Sequence, residues 1–188
     1  MTATKNKAAP QRPAIVFRKM NLDDAEHLAH IDRSERIEQT CRVENGQEIW
    51  TEAGHECPTW DVRQLEELQL RFRSELEQGG AAVGAYDGDR LVGFGLLAHR
   101  LLGPQRDTLP IDLMYVSRSY RRRGIGTRLM QLLSREALLR GAKALYISST
   151  ESNSAVRFYR SLGSENAAEP DADMLAKEPL DIHMVRPI

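Results

Sequence analysis

The sequence predicts a single α+β domain built on a mixed, mostly antiparallel sheet flanked by helices. Three observations predict it. The chain has 188 residues, 41% hydrophobic and 28% charged, enough to bury one core and solvate its surface. Runs with strand character alternate with helical patterns along its length. A strand–helix–strand unit over 111–149 calls for a parallel pair with a right-handed crossover, while an Asp-Gly turn at 87–88 calls for an antiparallel hairpin.

The elements follow in order. Residues 1–13 are polar, hold Pro10 and Pro13 and show no periodicity, so they read as a loose tail before a domain over 14–188. Ala14 to Arg18 forms a first strand. Asn21 caps a helix over LDDAEHLAHI, with Leu22, Ala25, Leu28, Ala29 and Ile31 on its apolar face. The stretch from Asp32 to Asp61 has few apolar positions and no clean period, and yields no clear element. From Asp61 a helical pattern returns and is closed by Gly79 and Gly80. Ala81–Tyr86 and Arg90–Leu101 are strands joined by Asp87-Gly88-Asp89. A loop from Gly103 to Pro110 leads to a strand over Ile111–Ser117. A helix over Thr127–Leu139, a strand over Ala144–Ser149, a helix over Ser154–Leu162 and a strand over Asp181–Arg186 complete the chain.

Composition excludes several classes of function. The formal net charge is −1, against the basic excess of a nucleic-acid coat or an anionic-membrane binder. No apolar run approaches the ~20 residues of a membrane span. Lys5, Lys7 and Arg12 precede no apolar segment of the kind a secretory leader carries. Cys41 and Cys57 make neither a disulfide framework nor a zinc motif, so a reducing cytoplasm is the expected setting. His27, His30, His55, His99 and His183 show no metal-ligand spacing, and no metal is expected.

The chemistry concentrates where the strand ending in Met114-Tyr115-Val116 runs through Ser117-Arg118-Ser119-Tyr120 into Arg121-Arg122-Arg123-Gly124-Ile125-Gly126-Thr127. The first turn of a helix leaves several N–H groups without partners and carries a partial positive charge. Glycines at 124 and 126 remove side chains that would keep a phosphate from those groups, and three arginines add forked donors. Set against this pyrophosphate cradle is a solvated, charged helix start, and the segment alone divides the two evenly. The Gly-Lys-Ser/Thr ending of a Walker loop is absent, as is the third glycine of a dinucleotide fingerprint.

Context decides. Arg121-Arg122-Arg123-Gly124-Ile125-Gly126 resembles the Arg/Gln-x-x-Gly-x-Gly/Ala signature of the GCN5-related N-acetyltransferase (GNAT) superfamily. Downstream, SNSAVRFYRSLG is similar to that family's Asn-x-x-Ala-x-x-x-Tyr-x-x-x-Gly pattern, carried by Asn153, Tyr159 and Gly163. The resemblance covers about 111–163. It implies a GNAT-type fold whose central parallel strands splay to hold coenzyme A, and acetyl-CoA as acyl donor. The amides around Arg122 to Thr127 would hold the pyrophosphate, with Arg121 also among the cofactor-binding residues. The strand edge at Met114, Tyr115 and Val116 would pair with the pantetheine amides. Asn153 would contact the same arm or simply cap its helix.

The resemblance also picks Tyr159, rather than Phe158, to protonate the departing thiolate, which a phenol of pKa about 10 can do. A lysine-like amine is neutral in roughly one part in 10³ at pH 7, a handicap of about 4–5 kcal/mol that a base must remove. Asp112 shares strand parity with Met114 and Val116 and is one candidate; Glu35 and Glu44 are others. The segment 32–67 carries ten acidic and four basic residues, so it is either an acidic wall favouring a cationic acceptor or a solvated face. Trp50 and Trp60 would line that pocket or anchor the loop. The expected reaction is direct acetyl transfer to a primary amine of a small cationic metabolite. Acetylation of a protein lysine or N-terminus, or a degenerate CoA-binding module, are the alternatives. A homodimer is compatible with the resemblance, though no feature of the chain demands one. Ser164, where an aromatic commonly follows Gly163, and the polar linker 164–179 depart from the family pattern.

Overall fold

The computed structural model describes residues 14–188, so the tail expected over 1–13 lies outside the described residues. Nine strands and four α-helices occur in the order β1 (Val16–Met20), a 3₁₀ helix (Leu22–His30), β2 (Glu35–Glu44), β3 (Gln47–Cys57), α1 (Val62–Glu77), β4 (Ala81–Asp87), β5 (Arg90–Leu97), β6 (Thr108–Val116), a short 3₁₀ turn (Arg118–Tyr120), α2 (Ile125–Leu139), β7 (Ala144–Ser149), α3 (Asn153–Ser161), β8 (Glu165–Asn166), α4 (Ala172–Lys177) and β9 (Ile182–Pro187). Seven strands form one sheet in the order β1-β4-β5-β6-β7-β9-β8. Among the described strands only β6 and β7 are parallel, as the strand–helix–strand unit predicts.

The local signals act as expected. Asn21 accepts from the N–H groups of Asp23 and Asp24 while Asp24 accepts from the Asn21 N–H, a reciprocal cap, although the helix it starts is 3₁₀ in geometry. Asp61 and Gln64 cap α1 in the same way. Gly88, at φ +58°, turns the β4–β5 hairpin.

The unread stretch is a hairpin. β2 and β3 pair antiparallel as a separate two-stranded sheet, turned by Asn45-Gly46 with φ of +51° and +78°. Asn-Gly between strands is a strong hairpin signal. It was masked because only Cys41 of these strands is buried, so the usual alternation of apolar and polar residues is faint. The polar linker likewise holds the short β8 and α4.

Apolar side chains pack on both sides of the large sheet. Ile125, Leu129, Met130 and Leu133 of α2 and Val156 of α3 cover one face. Leu28 of the 3₁₀ helix and Leu68 and Phe72 of α1 cover the other. Strand β6 switches between these layers. Leu96 faces Leu113 but Leu97 faces Ile111, which leaves Asp112 as an extra residue in a β-bulge. Leu109 and Ile111 belong to the α2 layer, Leu113 and Tyr115 to the α1 layer, and Met114 and Val116 again to the α2 layer. The bulge therefore overturns the parity argument for Asp112: its carboxylate meets Arg71 of α1, on the opposite face from Met114 and Val116.

Candidate active site

Strands β6 and β7 pair from Thr108/Ala144 to Ile111/Ile147 and then part. Beyond that point β6 keeps β5 on one side, through Gly95–Met114, Phe94–Tyr115 and Gly93–Val116, while Ser148 and Ser149 of β7 pair only with β9. The divergence leaves the Met114–Val116 backbone with a free edge, a template for an extended ligand.

That edge leads into the α2 N-terminus. The first helical bond runs from the Arg128 N–H to the Gly124 carbonyl at 3.0 Å, so the Ile125, Gly126 and Thr127 amides precede the ladder. The two glycines do different jobs. Gly124 is the N-cap at φ +78°, a left-handed position favouring glycine, and a Cβ there would meet open space. At Gly126 a Cβ would sit 3.1 Å from the Phe158 ring, so this glycine lets α3 approach α2.

The three arginines also divide. Arg121 donates to the carbonyls of Val116 at 3.0 Å and Arg33 at 2.8 Å and pairs with Glu35 at 2.8 Å. Its guanidinium is a strut that fixes the cradle, which corrects the expectation that all three face phosphate. Arg122 and Arg123 are exposed, the former at φ +62° and the latter over the Tyr120 ring at 5.0 Å.

Phe158 and Tyr159 sit on α3 with ring centroids 5.1 Å apart. Phe158 packs on Gly126, while Tyr159 is buried with its phenol well above its usual range, through burial and then through Tyr115 and Asp181. Tyr115 is also pushed up by burial and lies edge-on to Trp60 at 4.8 Å. Asp181, just ahead of β9, accepts a hydrogen bond from the Ser148 hydroxyl at 3.1 Å. Burial and the neighbouring Glu178 push its carboxyl up to about 6. The α4 segment is latched across this face. Arg71 of α1 forks onto Asp112 with 2.7 Å bonds and reaches Glu178 at 3.3 Å, and Lys177 reaches Asp112 at 3.3 Å. Behind the latch, the His183 Nε2 donates to the Glu178 carbonyl at 3.1 Å, and its Nδ1 lies 2.9 Å from the Tyr146 hydroxyl.

The sequence profile of the acetyltransferase (GNAT) family matches residues 42–163. The chain belongs to that family. It is an N-acetyltransferase, and its free β6 edge and α2 amides occupy the matched segment. Solved structures agree in fold. Nourseothricin acetyltransferase is 22% identical, with a TM-score of 0.68 over 93% of this chain and 99% of that one. PaiA N-acetyltransferase from Thermoplasma acidophilum, in complex with coenzyme A, is 16% identical, with a TM-score of 0.62 over 94% and 100%. Aminoglycoside 6'-N-acetyltransferase complexed with coenzyme A is 21% identical, with a TM-score of 0.52 over 68% and 81%. A comparison with curated protein sequences returns no match.

The remaining expected site residues scatter. Asp112 has its carboxylate in the Arg71 fork; burial alone would raise its pKa, but Arg71 and then Lys177 outweigh burial and hold it low. An acid held ionised by two cations is a poor proton acceptor. Glu35 joins the cradle to α3, taking a bond from the Ser154 hydroxyl at 2.9 Å besides that from Arg121. Glu44 lies beside the hairpin turn, exposed and paired with Arg42. The acidic stretch is no wall: Glu38 pairs with Arg36, Glu48 with Arg160 and Glu56 with Arg118. Trp60 reaches the site through Tyr115, whereas Trp50 lies under Arg157.

The helix cap also moves. Counting the family pattern back seven residues from Tyr159 lands on Ser152, whose hydroxyl accepts from the Ala155 N–H, and Asn153 is the first helical residue. Ser152 and not Asn153 is the cap. Asp181 and Ser148 were not singled out from the sequence. Their only signal there is proximity to predicted strand ends, which many polar residues share.

Among the described residues no group of three or more His, Cys, Asp or Glu side chains is arranged to hold a metal, and no helix is long and apolar enough to cross a membrane.

Proposed function

We propose that the enzyme moves an acetyl group from acetyl-CoA directly to the primary amine of a small cationic metabolite. One observation carries the donor half. The free edge of Met114–Val116 runs into the unpaired amides of Ile125, Gly126 and Thr127, an extended track ending in an anion cradle. Gly126 fits this use, because a Cβ there would sit 3.1 Å from the Phe158 ring, tighter than ordinary contact, where α3 packs beside the cradle. Tyr159, at the parting of β6 and β7, donates the proton that the departing thiolate needs. The phenol is protonated at neutral pH, as a donor to the departing thiolate must be.

The acceptor half rests on the opposite face. The ion pairs among Arg71, Asp112, Lys177 and Glu178 tie α1 and β6 to the end of α4, a fixed border that favours a small acceptor over a protein one. The Asp181 carboxylate beside Tyr159 supplies negative charge for a cationic amine. Nourseothricin and aminoglycoside acetyltransferases share the fold and are consistent with such an acceptor.

Calorimetry with acetyl-CoA tests the donor half. Gly124→Glu places a like charge against the phosphates, and affinity is expected to fall at least about 10-fold. Release of free thiol with a panel of diamines, amino alcohols and amino sugars tests the acceptor half. Absence of acetyl-CoA binding to the parent protein would overturn the assignment. Labelling of polypeptides alone would transfer it to a protein acetyltransferase.

A further inference from the structure

We propose that Asp181 is the residue that takes the proton from the acceptor amine, with Ser148 as its positioning residue. The inference rests on the N-acetyltransferase reading above and deepens it. Three carboxylates suggested by the strand pattern or the acidic stretch are committed elsewhere: Asp112 to Arg71 and Lys177, Glu35 to Arg121, and Glu44 to Arg42. Asp181 has no such cation. Its one hydrogen bond to a side chain comes from the Ser148 hydroxyl, on the stretch of β7 that has already left β6. It therefore stands at the mouth of the gap where the thioester must lie, close enough to Tyr159 for its charge to act on that phenol.

The surroundings favour proton acceptance. Glu178 on its own segment and Glu151 in the turn before α3 repel a negative charge at Asp181, and burial disfavours it further. His183 of β9 and the Ser148 hydroxyl act in the opposite sense. Tyr159 of α3 and Tyr115 of β6 are neutral. Arg71 is spent on Asp112 and on Glu178 and forms no ion pair with Asp181. The carboxyl pKa of about 6 then lies nearer the working range of a base at neutral pH than an ordinary aspartate does.

Protons and electrons balance as follows. The Asp181 carboxylate removes one proton from the ammonium and releases it to solvent. The freed nitrogen lone pair forms the C–N bond at the thioester carbonyl. Collapse breaks the C–S bond with its electron pair on sulfur, and Tyr159 protonates the thiolate. The second nitrogen proton restores the Tyr159 phenol, and the third remains on the amide.

The test uses the full chain, saturating acetyl-CoA and the best alkylamine of the panel. For the parent enzyme, kcat/KM is expected to rise through an acid limb near pH 6. Asp181→Asn should lose about 10²-fold in kcat at pH 7 and recover as the pH climbs toward the amine's own pKa. Its acetyl-CoA affinity by calorimetry should stay unchanged, which separates this loss from misfolding. Ser148→Ala should move the acid limb to higher pH, because the lost hydrogen bond favours the ionised form; a merely structural serine would leave that limb in place. An Asp181→Asn enzyme with the parent's acid limb would overturn the proposal, as would one altered in KM alone, where the aspartate only anchors the ammonium. If the parent binds acetyl-CoA but releases thiol with no amine, the small-amine reading itself fails, and the proposal with it.

Discussion

Asp112 and Asp181 sit under the same Lys177–Glu178 segment, yet their surroundings drive them in opposite directions. Asp112, in the β6 bulge, is nearly fully buried and gripped by Arg71 and Lys177, so its charge is neutralised and held. Asp181 is less buried, has a single hydroxyl donor, and faces two further carboxylates. The first arrangement stabilises a fold, because a compensated charge costs little once its partners are in place. The second stores the destabilisation that a proton acceptor needs. Carboxylate identity says nothing about which is which; the partner set does.

The largest effect should come from breaking the compensated pair. Arg71→Met leaves Asp112 buried with only Lys177, and Arg71 is 29% exposed, which places the loss near the lower end for buried pairs, about 3 kcal/mol at pH 7. Asp112 is depressed in the native state, so its contribution is present above the unfolded carboxylate pKa of about 4 and disappears as pH falls through the lower native value. The deficit in urea denaturation should therefore shrink toward pH 3. An equal deficit at both pH values would mean that Arg71 acts through packing.

Tyr159→Phe probes the other side of the comparison. The phenol draws no hydrogen bond among the causes of its shift, so removing its oxygen leaves no partner unsatisfied. We expect kcat to fall about 10²-fold with thermal stability equal or higher. Loss of both together would make Tyr159 a packing residue.

Asp181→Asn should stabilise the protein while disabling it. The native pKa is raised to about 6, so the native state binds its proton more tightly than the unfolded chain. The stability this gives is full below pH ~4 and is lost as pH rises through about 6. The asparagine variant should then gain about 1–2 kcal/mol over the parent at pH 8, allowing for screening by water, and nothing at pH 4. Denaturation curves at the two pH values check it. A variant less stable at pH 8 would show that the aspartate is compensated after all.

How far the sequence could reach follows from the same contrast. The donor half was legible because a track for a long, charged ligand depends on backbone conformation. Gly124 in a left-handed cap, Gly126 against Phe158 and the order of strand, turn and helix all leave a local pattern. The acceptor half is assembled from distant pieces. Arg71 on α1, Asp112 in a bulge, and Glu178 and Asp181 before β9 lie far apart in sequence, and nothing local announces that they meet. The bulge defeated the period-2 argument by reversing parity within one strand. The β2–β3 hairpin escaped because its Asn-Gly turn was unaccompanied by a buried stripe. Neither failure involved a wrong residue preference; the first came from a register shift within β6 and the second from the missing apolar stripe.

The smallest expected effect serves as the control. Glu44 is a third carboxylate, 52% exposed and paired only with Arg42 of its own strand. An exposed ion pair contributes little, so Glu44→Gln should change stability by less than about 0.5 kcal/mol. Its side chain stands beside the hairpin turn, away from Tyr159 and the β6–β7 gap, so kcat/KM for the best amine should match the parent at every pH. A raised KM in that variant would bring the hairpin tip into the acceptor site. Asp112 and Asp181 alone would then no longer account for how this enzyme handles a cationic substrate.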